Sequence, residues 1–112
     1  MEVKPAVFHD AARKALREFP EEARREFGKA IFDLQKGHAL PFPLSRPMSS
    51  VGPGIEELRV KDHSGAYRVF YYARLRDRVL VFHAFKKKAQ QTPQKEIELG
   101  QKRLKEIIHE DI

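Results

Sequence analysis

Hydrophobic residues recur at helical spacing in the first third of the chain and predict two consecutive helices. Before them, Val3 to His9 is typical of a short edge strand. Asp10 is the expected cap of a first helix over residues 10–17. Pro20 then opens a second helix, which Gly37 ends, and the pair predicts a helical hairpin. The apolar stripe of the second helix consists of Ala23, Phe27, Ala30, Ile31 and Leu34.

Proline and glycine are frequent in residues 37–54, which predicts an irregular loop. Such a loop is either functional or a strap across the sheet edge. Downstream, the pattern predicts three strands, over residues 55–61, 66–74 and 79–85. The third strand is apolar on both faces, as expected of a central strand that is covered on both sides. Thr92 then caps a final helix, and Pro93 opens it.

This order of elements predicts one α+β domain over residues 1–112, a length that suits a single hydrophobic core. We expect a small, mostly antiparallel sheet with an N-terminal helical hairpin and a C-terminal helix. The helices are expected to pack on one face of the sheet. The longest apolar run, from Val79 to Phe85, is too short to span a bilayer, and no signal peptide is recognisable. We therefore expect a cytoplasmic protein with no membrane partner.

The charge of the chain is concentrated in its middle third. Lys and Arg total 22 against 16 for Asp and Glu, a net charge of +6. Residues 55–88 hold nine basic and four acidic side chains, which is +5 of that total. This concentration favours an acidic partner, either a nucleic acid or an acidic protein, over a merely solvated basic surface. The chain has no cysteine, which excludes disulfides, thiolate zinc sites and a cysteine nucleophile.

The first two predicted strands carry cations at alternating positions. Arg59 and Lys61 share one face of their strand, and Arg68 shares a face of the next with Tyr72 and Arg74. If the register brings these faces together, several cations and aromatic rings lie on one open sheet surface. Guanidinium groups bind phosphates through paired hydrogen bonds, and aromatic rings stack on unpaired bases, so the pattern favours RNA binding. An ordinary solvated sheet face is the alternative.

The end of the third strand carries further candidates for chemistry. Lys86, Lys87 and Lys88 repel one another, which a bound phosphate would relieve, although lysine runs are often only solvated. His83 lies inside the apolar strand, where it is either a hydrogen-bonded core side chain or a proton donor or acceptor at the mouth of a cleft. The other histidines lack the spacing of metal ligands, so we expect no metal site and no cofactor.

Three segments of the chain are distinctive when taken together. They read PLSRPM, GIEELRVKDHSGAYRVFYYA and RVLVFHAFKKKAQQTPQKEIELGQKRLKEI. These segments resemble the phage-derived, HigB-like branch of the RelE/ParE toxin superfamily, over a range from about Ala11 to Ile108. The fold that the resemblance implies is a small antiparallel sheet with an N-terminal helical hairpin and a C-terminal helix, in agreement with the order of elements predicted above.

The resemblance implies a type II toxin that a cognate antitoxin holds inactive. The antitoxin is expected to be a helix-turn-helix protein encoded beside the toxin. In RelE-like members, the toxin enters the ribosomal A site and cuts messenger RNA without a metal ion. The 2′-hydroxyl attacks the adjacent phosphate, a reaction that needs an acid, a base and cations around the pentavalent phosphate. We therefore expect a ribosome-dependent mRNA endonuclease that blocks translation.

By position, the resemblance matches Arg59 and Arg68 to basic residues of two strands, and two lysines to the basic segment after the last strand. With His83 as a substitute, the catalytic candidates are Arg59, Arg68, Lys86, Lys87 and His83. The candidates for RNA contact are Lys61, Tyr72, Arg74, Lys88 and Gln91. RelE has an arginine and a tyrosine where this chain has Ala89 and Pro93, and a lysine where it has Glu57.

Two other functions are compatible with the same fold. One is a ParE-like toxin that inhibits DNA gyrase by binding alone, which would not need clustered cations on an open sheet face. The other is a non-catalytic RNA-binding or regulatory module, which the residues at positions 89 and 93 favour. Arg59, Arg68 and the lysine run favour phosphate binding over the gyrase inhibitor, and the endonuclease is the leading hypothesis.

Overall fold

The computed structural model describes residues 2–88 and 91–110, and that part of the chain forms three helices and a five-stranded mixed sheet. In chain order, the elements are β1 (Ala6–Phe8), α1 (Asp10–Glu18), α2 (Glu21–Gln35), β2 (Ser45–Pro47), β3 (Glu56–Asp62), β4 (Gly65–Tyr72), β5 (Val79–Lys87) and α3 (Gln94–Glu110). The strand order in the sheet is β1-β5-β4-β3-β2. Only the β1–β5 pair is parallel, which confirms the prediction of a mostly antiparallel sheet.

The helices begin and end near the predicted residues. All five residues of the predicted apolar stripe of α2 are buried. Gly37 follows the helix with a φ of +89°, a left-handed conformation that suits glycine, and its amide donates to the Leu34 carbonyl at 3.0 Å. The cap of α1 was predicted wrongly: His9 precedes the helix, and its Nδ1 accepts a hydrogen bond from the Ala11 amide at 3.0 Å. Asp10 is the first residue of the helix instead.

The proline-rich loop forms a strap across the edge of the sheet. Leu40 and Leu44 pack against the core on the α2 side, whereas Met48 and Val51 are buried in the core on the α3 side. Between these anchors lies β2, an edge strand that the sequence did not predict because three residues with a terminal proline carry no periodicity. The loop therefore joins the two faces of the sheet.

The sheet is covered on both faces, so the prediction that the helices pack on one face was wrong. On the α2 face, Tyr67, Val69 and Tyr71 join the stripe of α2 in one buried cluster. On the α3 face, Phe70 and Phe82 pack with residues of α3 in a second cluster. The physical reason is the central strand: β5 is buried at every position from Val79 to Phe85, and both of its apolar faces need cover.

The first two helices contact different strands. Helix α1 packs against β5, and α2 packs against β3. The helical hairpin predicted for them therefore stays a prediction. Among the described residues, no helix combines the length and the apolar character that crossing a membrane requires.

The approach of α3 to the sheet depends on Gly100. A Cβ at this position would lie 2.8 Å and 2.9 Å from two ring atoms of the fully buried Phe70. We expect Gly100→Ala to lower the free energy of unfolding by about 1–2 kcal/mol, because overpacking outweighs the gain in helix propensity.

The matched control is Gly28→Ala on α2, where an added Cβ meets nothing within 4 Å. That variant should raise the free energy of unfolding by about 0.5–1 kcal/mol. Urea denaturation of both variants measures the difference, and equal stabilisation by the two substitutions would contradict the close packing of α3.

Candidate functional site

A fully buried carboxylate on β3 lies among three arginines on the α3 face of the sheet. Glu57 is 0% exposed, and its Oε1 accepts a hydrogen bond from Nε of Arg46 at 3.0 Å. Nε of Arg68 lies 3.5 Å and Nε of Arg59 4.0 Å from the same oxygen. The hydroxyl of Thr92 donates to Oε2 at 3.2 Å. We call Glu57 and its three arginines the arginine cluster.

Strand register explains how the arginine cluster forms. Arg46 on β2 is opposite Glu57 on β3, and Arg59 is opposite Arg68 on β4. Because side chains alternate along each strand, these residues project from the same face. The predicted meeting of Arg59 and Arg68 on one surface is confirmed. The surface is not open, however, since Arg68 is only 5% exposed, and the prediction that it lies on an open face was wrong.

The arginine cluster holds more positive than negative charge. Three guanidinium groups face one carboxylate, so the cluster carries two positive charges in excess. Nε of Arg59 and Nε of Arg68 are buried, and among the described residues neither has a hydrogen-bond partner. Nη1 of Arg68 donates to the Tyr67 carbonyl at 3.2 Å. Because a buried charge without a counter-charge is costly, this arrangement favours the binding of an anion.

Lys87 adds a further cation to this region. Burial lowers the pKa of its ammonium, and the charges of Arg68 and Arg59 lower it further. Burial is also the main reason that the pKa of Arg68 falls, while Glu57 opposes the fall. A lysine with a lowered pKa releases its proton more readily than an exposed lysine does, so Lys87 has the character of a proton donor.

An open pocket adjoins the arginine cluster. Its volume is about 420 Å³. Cationic and apolar residues line it: Pro43, Leu44, Arg59, Val60, Lys61 and Arg68. The pocket therefore gives a ligand from solvent a route to the edge of the cluster, and Lys61 lies where the sequence placed it, beside Arg59.

The structure gives His83 a buried position between β5 and α3. The residue is 1% exposed, its Nε2 lies 2.8 Å from Oε1 of Glu96, and Nη1 of Arg103 lies 2.8 Å from its Nδ1. Arginine can only donate, so Nδ1 accepts and Nε2 carries the proton that is donated to Glu96. Of the two interpretations of His83, the structure supports the hydrogen-bonded core side chain, which has no free nitrogen for proton transfer at a cleft.

The other predicted site residues do not all join the arginine cluster. Lys86 projects from the α2 face, where its Nζ lies 5.9 Å from the centroid of the Tyr67 ring. Tyr72 is about 13 Å along β4 from Arg68 and packs in the core of the α3 face. Three of the predicted residues are exposed and lie beyond the strand ends: Arg74, Lys88 and Gln91. Ala89 lies outside the described residues.

A comparison with known protein families identifies the family of the chain. A model of one family, described as "Phage derived protein Gp49-like (DUF891)", matches residues 14–105 of the 112. The chain belongs to this family. Gp49-like proteins are related to the RelE/HigB-like toxins of type II toxin–antitoxin systems, which confirms the resemblance at that level. The HigB-like branch stays a prediction, and no curated protein matches the chain.

The matched part of this Gp49-like chain includes site residues that sequence reasoning missed. Arg46 lies in the segment PLSRPM, but only the β2–β3 pairing shows that it contacts Glu57. Thr92 was expected to cap α3, whereas its hydroxyl donates to Glu57. Glu96 and Arg103, the partners of His83, are ordinary charged positions of a helix and gave no signal in the sequence.

One group of side chains in the Gp49-like fold has ligand atoms close enough for a metal ion. Glu22, Asp62 and His63 offer atoms that all lie within 4.8 Å of one another. Oδ1 of Asp62 already accepts hydrogen bonds from the amides of Ser64 and Gly65, as a turn residue does. Glu22 and His63 are exposed, and the group joins the first turn of α2 to the β3–β4 turn.

The buried position of His83 predicts a loss of stability in acid. Burial is the main cause that lowers its pKa below the ordinary 6.5, with Arg103 and His9 acting in the same direction and Glu96 opposing them. As the pH falls past 6.5, the unfolded chain takes up a proton first, so the free energy of unfolding decreases until the lower pKa of the folded state is reached.

The variant His83→Gln removes this titration and should flatten the decrease below about pH 6.5. Urea denaturation at several pH values between 5 and 8 gives the slope, and substitution of the exposed His38 by Gln is the control. The same slope in wild type and His83→Gln would contradict the assignment.

Proposed function

We propose that this chain is the toxin of a type II toxin–antitoxin system and acts as a ribosome-dependent mRNA endonuclease. The family match supports the assignment as a toxin of a toxin–antitoxin system, without specifying its activity. The observation that carries the endonuclease proposal is the excess of two positive charges around Glu57, beside an open pocket. A scissile phosphate would supply negative charge to balance this excess, and its oxygens would accept hydrogen bonds from the arginines.

Arg59 and Arg68 bind the scissile phosphate in this proposal. Each guanidinium is a rigid fork of donors that matches the oxygens of a phosphate. The 2′-hydroxyl loses its proton to solvent water as its oxygen bonds to phosphorus, and the negative charge on the equatorial oxygens grows in the transition state. Cations fixed in place beforehand stabilise that charge without reorganisation. Glu57 is a positioning residue, because its two oxygens are occupied by arginines and by Thr92.

Lys87 supplies the proton for the leaving group. When the bond from phosphorus to the 5′-oxygen breaks, that oxygen must be protonated, and the products are a 2′,3′-cyclic phosphate and a 5′-hydroxyl. The lowered pKa of Lys87 makes it a better acid than an exposed lysine. The reaction is proposed to be independent of metal, since a divalent cation would be repelled by the arginines and the lysine.

The proposed partners follow from this reaction. They are a cognate antitoxin, expected to be a helix-turn-helix protein, and the ribosome with its messenger RNA, in the cytoplasm. The family supports the antitoxin. A non-catalytic RNA-binding module is the second candidate, because Pro93 stands where the resemblance to RelE places a tyrosine. The endonuclease cleaves messenger RNA, whereas the RNA-binding module does not, so a cleavage assay distinguishes the two functions.

Two neighbouring lysines provide a matched test of the proposed chemistry. We expect Lys87→Ala to slow the cleavage of messenger RNA on translating ribosomes by about 10²–10⁴-fold, as the loss of a general acid does. Lys86→Ala should leave the rate unchanged, because that side chain projects from the opposite face. Mapping of new 5′ ends after mixing the protein with translating ribosomes measures the rate.

Thermal melting of both variants shows whether the fold is retained. Equal rates for the two lysine variants would contradict the role of Lys87. If the wild type cuts no message, and induced expression stops DNA synthesis before protein synthesis, the gyrase inhibitor replaces the endonuclease.

A further inference from the structure

The strap presents one large aromatic side chain to solvent beside the arginine cluster. Phe42 is 72% exposed, more than any other large hydrophobic residue that the structure describes. Its ring lies 5.9 Å from the guanidinium carbon of Arg59, measured to the ring centroid. Arg59 in turn belongs to the cluster around Glu57. A single side chain therefore connects the exposed ring to the anion-binding site.

The backbone on both sides of Phe42 is held in place. The amide of Ser45 donates to the Pro41 carbonyl at 3.1 Å, and the amide of Arg59 donates to the Leu44 carbonyl at 2.8 Å. Leu40 and Leu44 pack against the core of the α2 face. The strap thus fixes an apolar ring in water, where a buried position would be more favourable for the ring itself.

The pocket lined by Pro43, which follows Phe42 in the strap, suits a ligand of a particular kind. Its lining combines apolar residues, including Pro43 and Leu44, with the cations Arg59, Lys61 and Arg68. An apolar peptide would leave these cations unpaired, and an inorganic anion would leave the ring in water. A nucleotide of single-stranded RNA satisfies both, since it carries a negative phosphate and a flat aromatic base.

We propose that Phe42 stacks on an unpaired base of the RNA strand whose phosphate is bound by Arg59 and Arg68. This inference rests on the proposed function and adds a binding residue to that site. Every base has an aromatic face, so the ring increases affinity for any base and does not select among them. Arg59 lies against one side of the ring and orients it, while the exposed side receives the base.

Binding of a labelled RNA octamer of mixed sequence tests the proposal. The octamer carries 2′-O-methyl sugars, which prevent attack by the 2′-oxygen, and fluorescence anisotropy gives the Kd. We expect Phe42→Ala to weaken binding by about 5- to 100-fold, the range for the loss of one stacked base. Phe42→Trp should bind at least as tightly as the wild type, and Phe42→Leu, which is apolar but not aromatic, should resemble Phe42→Ala.

Phe32 provides the matched control. It is also exposed, at 48%, and has a lysine nitrogen 4.8 Å from its ring centroid, but it lies on α2, which covers the other face of the sheet. Phe32→Ala should leave the Kd unchanged. An abasic octamer has no base on which the ring of Phe42 can stack. It should therefore bind equally to the wild type and to Phe42→Ala.

The outcomes separate this inference from the proposed function. If Phe42→Ala binds the octamer like the wild type while Arg59→Ala binds weakly, the stacking role is overturned and the endonuclease proposal stands. If the wild type does not bind the octamer, the stacking role is overturned, and the cleavage assay on translating ribosomes decides the endonuclease proposal separately. If Phe42→Ala binds RNA normally but loses the antitoxin, the ring is a protein-binding residue, which also overturns the stacking role.

Discussion

The ion pairs between the buried carboxylate of Glu57 and three guanidinium groups are the interaction on which the rest of the site depends. Without the carboxylate, three guanidinium groups would face one another with no counter-charge, which is costly because Arg68 is buried. With it, they are held in fixed positions and still carry two charges in excess. The same interaction thus positions the three guanidinium groups and leaves the site in need of an anion.

The way the two faces of the sheet are covered determines where the arginine cluster lies. One face is occupied by the core under α2, so the arginines can project only from the other, which they share with α3. Two histidine–glutamate pairs link α3 to the rest of the fold. His83 on β5 lies 2.8 Å from Glu96, and His9, which precedes α1, lies 2.8 Å from Glu106. The helix covers the aromatic half of the face, and Thr92, just before the helix, donates to Glu57.

Much of the fold, and part of the site, could be predicted from local pattern. Alternation along β3 and β4 predicts which side chains share a face of each strand, and the register that the structure supplies brings Arg59 and Arg68 together. The burial of Arg68 could not be predicted, because its surroundings include Glu57 and strap residues that are distant in sequence. Lys86 and Lys87 were indistinguishable because β5 is apolar on both faces, so its sequence does not show which side chain projects where. Phe42 lies in a loop without periodicity.

Side-chain NMR of the arginines most directly tests whether the arginine cluster binds a phosphate backbone. The Nε–H groups of Arg59 and Arg68 are buried, which slows their exchange with water and sharpens their resonances. Addition of a 2′-O-methyl RNA octamer should shift both resonances and leave that of the exposed Arg74, beyond the end of β4, unchanged. A shift of Arg74 with no change at Arg59 and Arg68 would show that RNA binds elsewhere and would contradict the assignment.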